Sequence, residues 1–187
     1  MTDNDKLAAR ETAILAGGCF WCLEAVFREV EGVESVTSGY TGGRIESPTY
    51  QQVCAGGTGH AEAVRIVFDP TVVSYRDLLE IFFVIHDPTS LNRQGNDIGT
   101  QYRSAIFATT EEQLHTALAL IEHMGEARVY PSGIVTRIER AETFWPAEPQ
   151  HHDYYARNTD QPYCQYVVAP KIAKFRAKFD SRRRRDG

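Results

Sequence analysis

Apolar and polar positions along this chain follow two periods, and the switches between them set out an order of strands and helices. "TAILAGG" (12–18) is a short apolar run closed by paired glycines and predicts a strand. Phe20, Leu23, Phe27 and Val30 then recur at roughly three-to-four spacing and predict a helix. "GVESVTSGY" (32–40) and "EAVRIVF" (62–68) read as strands, the second stopped by Asp69-Pro70. "SYRDLLEIFFVIH" (74–86) predicts a helix capped by Ser74, and "YRSAIFA" (102–108) a strand. "TTEEQLHTALALIEHM" (109–124) predicts a helix with a Thr-x-x-Glu/Gln start, "IVTRIE" (134–139) a strand, and "PAEPQHHDYYAR" (146–157) a short helix. Two stretches lack either period: "TGGRIESPTYQQVCAGGTGH" (41–60) and "DPTSLNRQGNDIGTQ" (87–101). Both read as long ordered loops, which in compact domains usually carry function.

Strand, helix, strand, strand, helix, strand, helix, strand is the order expected of an α+β fold. A ferredoxin-like two-layer sandwich fits best, a mixed β-sheet with helices packed against it. At 187 residues the chain is expected to form one domain, 1–187, with its core at about 12–170. The polar N-terminus, 1–10, and the basic segment, 171–187, are expected to be peripheral. That length can bury a core without disulfide staples.

Composition narrows the class. The 42% apolar and 24% charged residues are ordinary for a water-soluble globular chain, and no apolar run is long enough to span a membrane. "MTDNDKLAAR" has no apolar segment of the kind a secretory signal carries. Four cysteines without such a signal point to a reducing compartment, hence a cytoplasmic protein with catalytic or metal-binding thiols. The net charge of −5 is uneven: residues 171–187 carry eight Lys or Arg against two Asp, a local +6 that leaves −11 elsewhere. An acidic body does not suit nucleic acid, and "RRRR" (182–185) reads as a solvated, frayed tail.

The chemistry concentrates in "GGCFWCLEAVF" (17–27). Cys19 lies where a strand gives way to a helix, so unpaired N–H groups and the positive end of the helix dipole favour its thiolate. Cys22, three residues on, shares that face of the helix. Such a pair serves as a redox couple or as half of a zinc site, but Cys54 and Cys164 are solitary and His151-His152 is not spaced for ligation, so no metal is expected. Glu62 is in phase with Val64, Ile66 and Phe68 on the apolar face of its strand. If the strand begins there, the carboxyl sits at the edge of the core with its pKa raised toward general-acid range; if it begins later, Glu62 is a solvated loop residue. Tyr50, Asp97 and Tyr102 lie in or beside the two long loops, where spacing alone reads them as packing or loop-fixing residues. "GGTGH" (56–60) lacks the Gly-Lys-Ser/Thr ending of a phosphate loop.

Four blocks, "GGCFWCLEAVF", "SGYTGG" (38–43), "PTYQQVCAGGTGHAEAV" (48–64) and "HDPTSLNRQGNDIGTQYRSAIF" (86–107), occur in the order found in the peptide-methionine (S)-S-oxide reductases. The chain resembles that family from about residue 13 to 170. The resemblance implies that Cys19 is the nucleophile and that Phe20 and Trp21 house the methyl group of the substrate. It implies that Glu62 protonates the sulfoxide oxygen, that Tyr50 and Tyr102 bind that oxygen, and that Asp97 is a carboxylate of the same pocket. It further implies reduction of the S epimer of methionine sulfoxide, free or in proteins, through a Cys sulfenic acid and a disulfide. No metal or organic cofactor is required, only an external thiol reductant such as thioredoxin, and a monomer is expected. Cys54 lies inside a block without an assigned role.

The sequence departs from the family in one place. Many members carry the resolving cysteine in a Gly-rich C-terminal tail, whereas Cys164 stands in "QPYCQYVVAPK", which reads as an ordered segment. Cys164, favoured by its match to the position of the family's tail cysteine, is preferred for that role over Cys22, which is favoured by nearness. Two other functions remain open from the residues alone. One is a general thiol–disulfide oxidoreductase using Cys19-x-x-Cys22, which would not need Glu62 or the tyrosines; the other is a zinc-dependent binding module.

Overall fold

A computed structural model describes residues 9–185. The expectations for the first eight residues, polar and peripheral with no secretory signal, lie outside the described residues. Six strands form one mixed sheet in the order β7-β6-β1-β3-β2-β8. They are β1 (Glu11–Gly17), β2 (Val33–Thr41), β3 (Ala61–Phe68), β6 (Ser104–Ala108), β7 (Arg137–Arg140) and β8 (Trp145–Pro146). All neighbours are antiparallel except β6 and β7. In register, Leu15 of β1 faces Val64 of β3 on one side and Ile106 of β6 on the other.

Helices α1 (Phe20–Phe27), α3 (Tyr75–Ile85), α4 (Glu111–Glu126) and α6 (Ala169–Lys178) bury their apolar sides against the sheet and one another. Leu15, Val64, Ile66, Phe68 and Ile106 meet Leu23, Phe27, Phe82 and Phe175 in this main core. The other face of the sheet carries smaller side chains, Ala16, Ala61, Ala63 and Ala105 around Ile14 and Phe107, and Ala141 and Phe144 pack on it. A loop can therefore lie close there: a Cβ at Gly39 would sit 2.5 Å from the Phe144 ring. Ser74 and Thr110 cap α3 and α4 as their sequences predict, each accepting an N–H of the first turn.

Three expectations need correction. The first long loop contains α2 (Tyr50–Ala55), begun by a reciprocal capping box between Thr49 and Gln52. The second contains the small hairpin β4 (Arg93–Gln94) and β5 (Asp97–Ile98), then a 3-10 turn at Thr100–Tyr102. The predicted 146–157 helix is a 3-10 turn, Pro149–His151, followed by the short α5 (Tyr154–Arg157).

The largest correction concerns the C-terminal segment, which is not peripheral. A π-helical turn at Cys164–Val168 leads directly into α6. Cys164, Val168, Ile172 and Phe175 form a stripe spaced by four, four and three, and all four are buried in the main core. Pro170, in the first turn of α6, lacks only an N–H that has little use there. Nor is the arginine run frayed. Glu31 N–H donates to the Arg182 carbonyl and Arg184 N–H to the Glu29 carbonyl, at 2.8 and 2.7 Å, and Arg182 pairs with Asp77.

Candidate active site

The site is built where β1 hands over to α1. Gly18 turns the chain with φ +93, a conformation that side chains rarely adopt, and a Cβ there would meet Gln94 Cγ at 2.7 Å. Cys19 follows as the first flanking residue of α1, its side chain making no cap. The cap comes instead from across the sheet: the Phe20 N–H donates to Glu62 Oε1 at 3.1 Å. Glu62 lies in β3, opposite Tyr40 of β2, with 1% of its surface exposed. Burial pushes its carboxyl up to about 8; the Phe20 N–H opposes this, while Asp97 and Cys22 reinforce it.

Burial also pushes the Cys19 thiol well up, followed by its hydrogen bond and charge interaction with Cys22 and by the charge of Glu62. The helix-end argument from sequence thus needs correction. Cys19 is 7% exposed, and the lost hydration works against the thiolate that the helix end favours. Cys22 is held low, its hydrogen bond with Cys19 prevailing over burial, with Lys171 helping. The Cys19 and Cys22 thiols are thus in direct contact. Cys164 is fully buried and feels the charge of Cys22. All four cysteines are free thiols.

The other expected residues converge on the same point. Tyr50 opens α2, its ring stacked on Phe20 at 6.3 Å, and its backbone N–H donates to Glu148 Oε2 at 3.0 Å. Tyr102 ends the 3-10 turn, where the charges of Glu62, Asp97 and Cys19 reach it. Burial pushes both phenols up, so both remain hydrogen-bond donors at neutral pH. Cys54, one turn beyond Tyr50, is exposed and hydrogen-bonds the Tyr50 hydroxyl.

Two residues of the site escaped the sequence reading. The Tyr163 hydroxyl donates to Asp97 Oδ2 at 2.6 Å and lies within hydrogen-bond reach of the Cys19 and Cys22 sulfurs. His151, 6% exposed, accepts the Trp21 Nε1–H at Nδ1, 3.3 Å away. Its ring also packs 4.3 Å from Tyr50 and 5.5 Å from Phe20, while Tyr154 stacks on the far side of Trp21 at 3.7 Å and 7°. Phe20 and Trp21 are thereby fixed as an aromatic wall. The only sequence signal for either residue was aromatic or histidine clustering, beside Cys164 and in "QHHDYY".

The arrangement joins a buried thiol, a second thiol in contact with it, a protonated carboxyl, phenol donors and an apolar wall. Such a site defines a thiol-dependent oxidoreductase that acts on a polarised group carried next to a small apolar one. Among the described residues no group of three or more His, Cys, Asp or Glu side chains is arranged to hold a metal ion, and no helix is long and apolar enough to cross a membrane.

Residues 11–183 match the family model of peptide methionine sulfoxide reductase, and the chain belongs to that family. It is 55% identical over 181 residues to the peptide methionine sulfoxide reductase MsrA of Polynucleobacter asymbioticus, covering 97% of this chain and 95% of that one. The crystal structure of Mxr1 from Saccharomyces cerevisiae in reduced form superposes with a TM-score of 0.78 at 33% identity, over 85% of this chain and 91% of that one. Mxr1 has also been solved in complex with Trx2, and that chain aligns with a TM-score of 0.56 at 26% identity, over 79% of this chain and 87% of that one.

Proposed function

We propose that this chain reduces the S epimer of methionine sulfoxide, free or within proteins, with Cys19 as nucleophile and Glu62 as general acid. The observation that carries this reading is the position of Glu62, a buried carboxyl with a raised pKa held on the helix end beside Cys19. The sulfur of a sulfoxide is electrophilic, but thiol attack proceeds only if the oxygen is neutralised as its bond to sulfur weakens. A proton on Glu62 and the hydroxyls of Tyr50 and Tyr102 supply that, with Asp97 holding Tyr163 at the thiol. The substrate methyl lies against Phe20 and Trp21. A chiral sulfur between an apolar wall and a set of donors is read as one epimer.

The atoms balance without a cofactor. Methionine sulfoxide and the Cys19 thiol give methionine and a Cys19 sulfenic acid; a second thiol condenses with it to a disulfide and water. The hydrogen bond between the Cys19 and Cys22 thiols favours Cys22, rather than the expected Cys164, as that second thiol, with Cys164 as the next partner for exchange. A thioredoxin-like dithiol protein then reduces the disulfide, as befits a cytoplasmic enzyme. The antiparallel run β6-β1-β3-β2, connected through α1 and α3, supports a ferredoxin-like core within one catalytic domain.

Single-turnover reduction of the separated epimers, with thiols counted and mapped afterwards, tests this. One methionine should form per enzyme from the S epimer alone, with a Cys19–Cys22 disulfide and an intact Cys164 thiol. Cys19→Ser should bind but not turn over. Turnover by that variant, or equal use of both epimers, would overturn the assignment.

A further inference from the structure

The chain has four lysines among sixteen arginines, and the two cations are not distributed alike. Every ion pair with a carboxylate among the described residues is made by an arginine. Among the described residues Lys171, Lys174 and Lys178 have no such partner, and all three line one groove of about 830 Å³. Val84, Val129 and Val167 give it an apolar lining, and Asp97 and Tyr163 line it as well. Those two residues are hydrogen-bonded to each other, and Tyr163 reaches the Cys19 thiol. The groove therefore adjoins the catalytic pocket through Asp97 and Tyr163, and the lysines of α6 line it at spacings of three and four, on one side of the helix. Lys174 and Lys178 are exposed and Lys171 half-buried.

We propose that this groove binds the polypeptide flanking an oxidised methionine and favours flanks that carry acidic side chains. The proposal rests on the function above. An extended chain advances about 3.4 Å per residue and a helix about 1.5 Å, so from Tyr163 the lysines are reached roughly three to seven residues from the sulfoxide. The two acids in the groove lie toward its catalytic end. Asp87 is held by Thr89 and Ser90 and Asp97 by Tyr163, so neither is placed to pair with the outer lysines. A flexible ammonium group on an apolar surface recognises a carboxylate without fixing its exact position, as a site for many oxidised sequences requires. On a molecule of net charge −5, this basic wall offers an acidic segment local attraction beside the pocket.

The test uses the full chain with dithiothreitol as reductant. Substrates are free methionine sulfoxide and peptides with methionine sulfoxide flanked, on either side at those positions, by glutamate, glutamine or lysine. The expected order of kcat/KM is glutamate, glutamine, lysine, with about three- to tenfold between the first two at low salt and less at high salt. Lys174→Gln/Lys178→Gln should erase that order and leave free methionine sulfoxide unaffected. Lys171 is left in place because its charge reaches Cys22. Equal use of the three peptides by the unaltered protein would overturn the proposal, as would an order that survives in the double variant or one insensitive to salt. Slower turnover of the variant with a dithiol protein alone would assign the groove to the reductant and equally overturn it. Failure to reduce free methionine sulfoxide would instead strike the parent reading.

Discussion

Two glutamates are buried in the described chain, one within α1 and one at its first N–H, and they are treated oppositely. Glu24, within α1, accepts the Ser38 hydroxyl at 2.9 Å and the Asp153 N–H at 2.8 Å, and has Arg28 beside it. Among the described residues Glu62 has one hydrogen bond, from the Phe20 N–H. Burial raises both pKa values, but at Glu24 the serine hydroxyl and Arg28 work against it, whereas at Glu62 the neighbouring Asp97 and Cys22 add to it. A carboxyl whose oxygens are all engaged is a fixed strut. One left partly unengaged at a pocket holds its proton and keeps an oxygen free for a ligand. The comparison predicts that one acid serves chemistry and the other architecture.

The sharpest break is Glu62→Gln. It keeps the shape and an oxygen for the Phe20 N–H but cannot give up a proton. The single-turnover rate should fall about 10²-fold or more, with substrate binding little changed. A rate equal to that of the unaltered protein would remove Glu62 from the role of acid.

The same residue should control stability against pH. Its folded pKa, about 8, lies above its ordinary value of 4.5, so the folded protein holds a proton that the unfolded chain has released. Stability from this group is complete below the unfolded value and declines as pH rises through the folded one, by about 1.4 kcal/mol per unit. Denaturant titrations between pH 5 and pH 8, about the span of that window, should show this slope, and Glu62→Gln should flatten it. A slope unchanged in the variant would place its source elsewhere. Activity should fall over the upper part of the range as Glu62 loses its proton.

Glu24→Leu should do the reverse. Ser38 and the Asp153 N–H lose their acceptor, and stability should drop by about 1–3 kcal/mol. The chemical step should change little, because Glu24 does not touch the pocket. A Tm unchanged by this substitution, or a rate lowered as far as in Glu62→Gln, would erase the distinction between the two acids.

The two acids also show what can be read from residue order alone. Glu62 is legible because a strand has period two and its in-phase neighbours are apolar, and β3 begins one residue before it. Helices α3 and α4 are legible through Ser74 and Thr110. In α2 the Thr49-x-x-Gln52 box was present, but a helix of six residues is too short to show a period. The stripe Cys164, Val168, Ile172, Phe175 was masked by valines, tyrosine and a proline, which imitate an extended segment. Burial is not visible locally, so the helix dipole was given more weight at Cys19 than the surroundings allow. Tyr163 and His151 are beyond local reading, because what makes them part of the site is contact across 66 residues to Asp97 and 130 residues to Trp21.

The smallest expected effect concerns the wall that Glu24 helps to hold. Through the Asp153 N–H, Glu24 anchors the turn whose next residue, Tyr154, stacks on Trp21, and His151 of the same segment accepts the Trp21 N–H. That acceptance requires a neutral imidazole with its proton on Nε2. Burial lowers the His151 pKa; Glu148 opposes this, and His152 adds to it. Tyr50, on the other side of the ring, stays uncharged because burial raises its own pKa. His151 is therefore neutral at pH 7, and it is protonated only below the ordinary imidazole range, where the hydrogen bond must break. His151→Leu should raise KM about fivefold, the worth of about 1 kcal/mol for one hydrogen bond, with kcat nearly kept. His151→Asn, which retains an acceptor, should recover part of the loss and abolish the rise in KM at acid pH. With Trp145→Phe removing the other indole, Trp21 fluorescence should follow that protonation in the unaltered His151 background and be flat with pH in His151→Asn. A fluorescence titration identical in the two would show that His151 does not position Trp21, and the wall would then rest on Tyr154 and Phe20 alone.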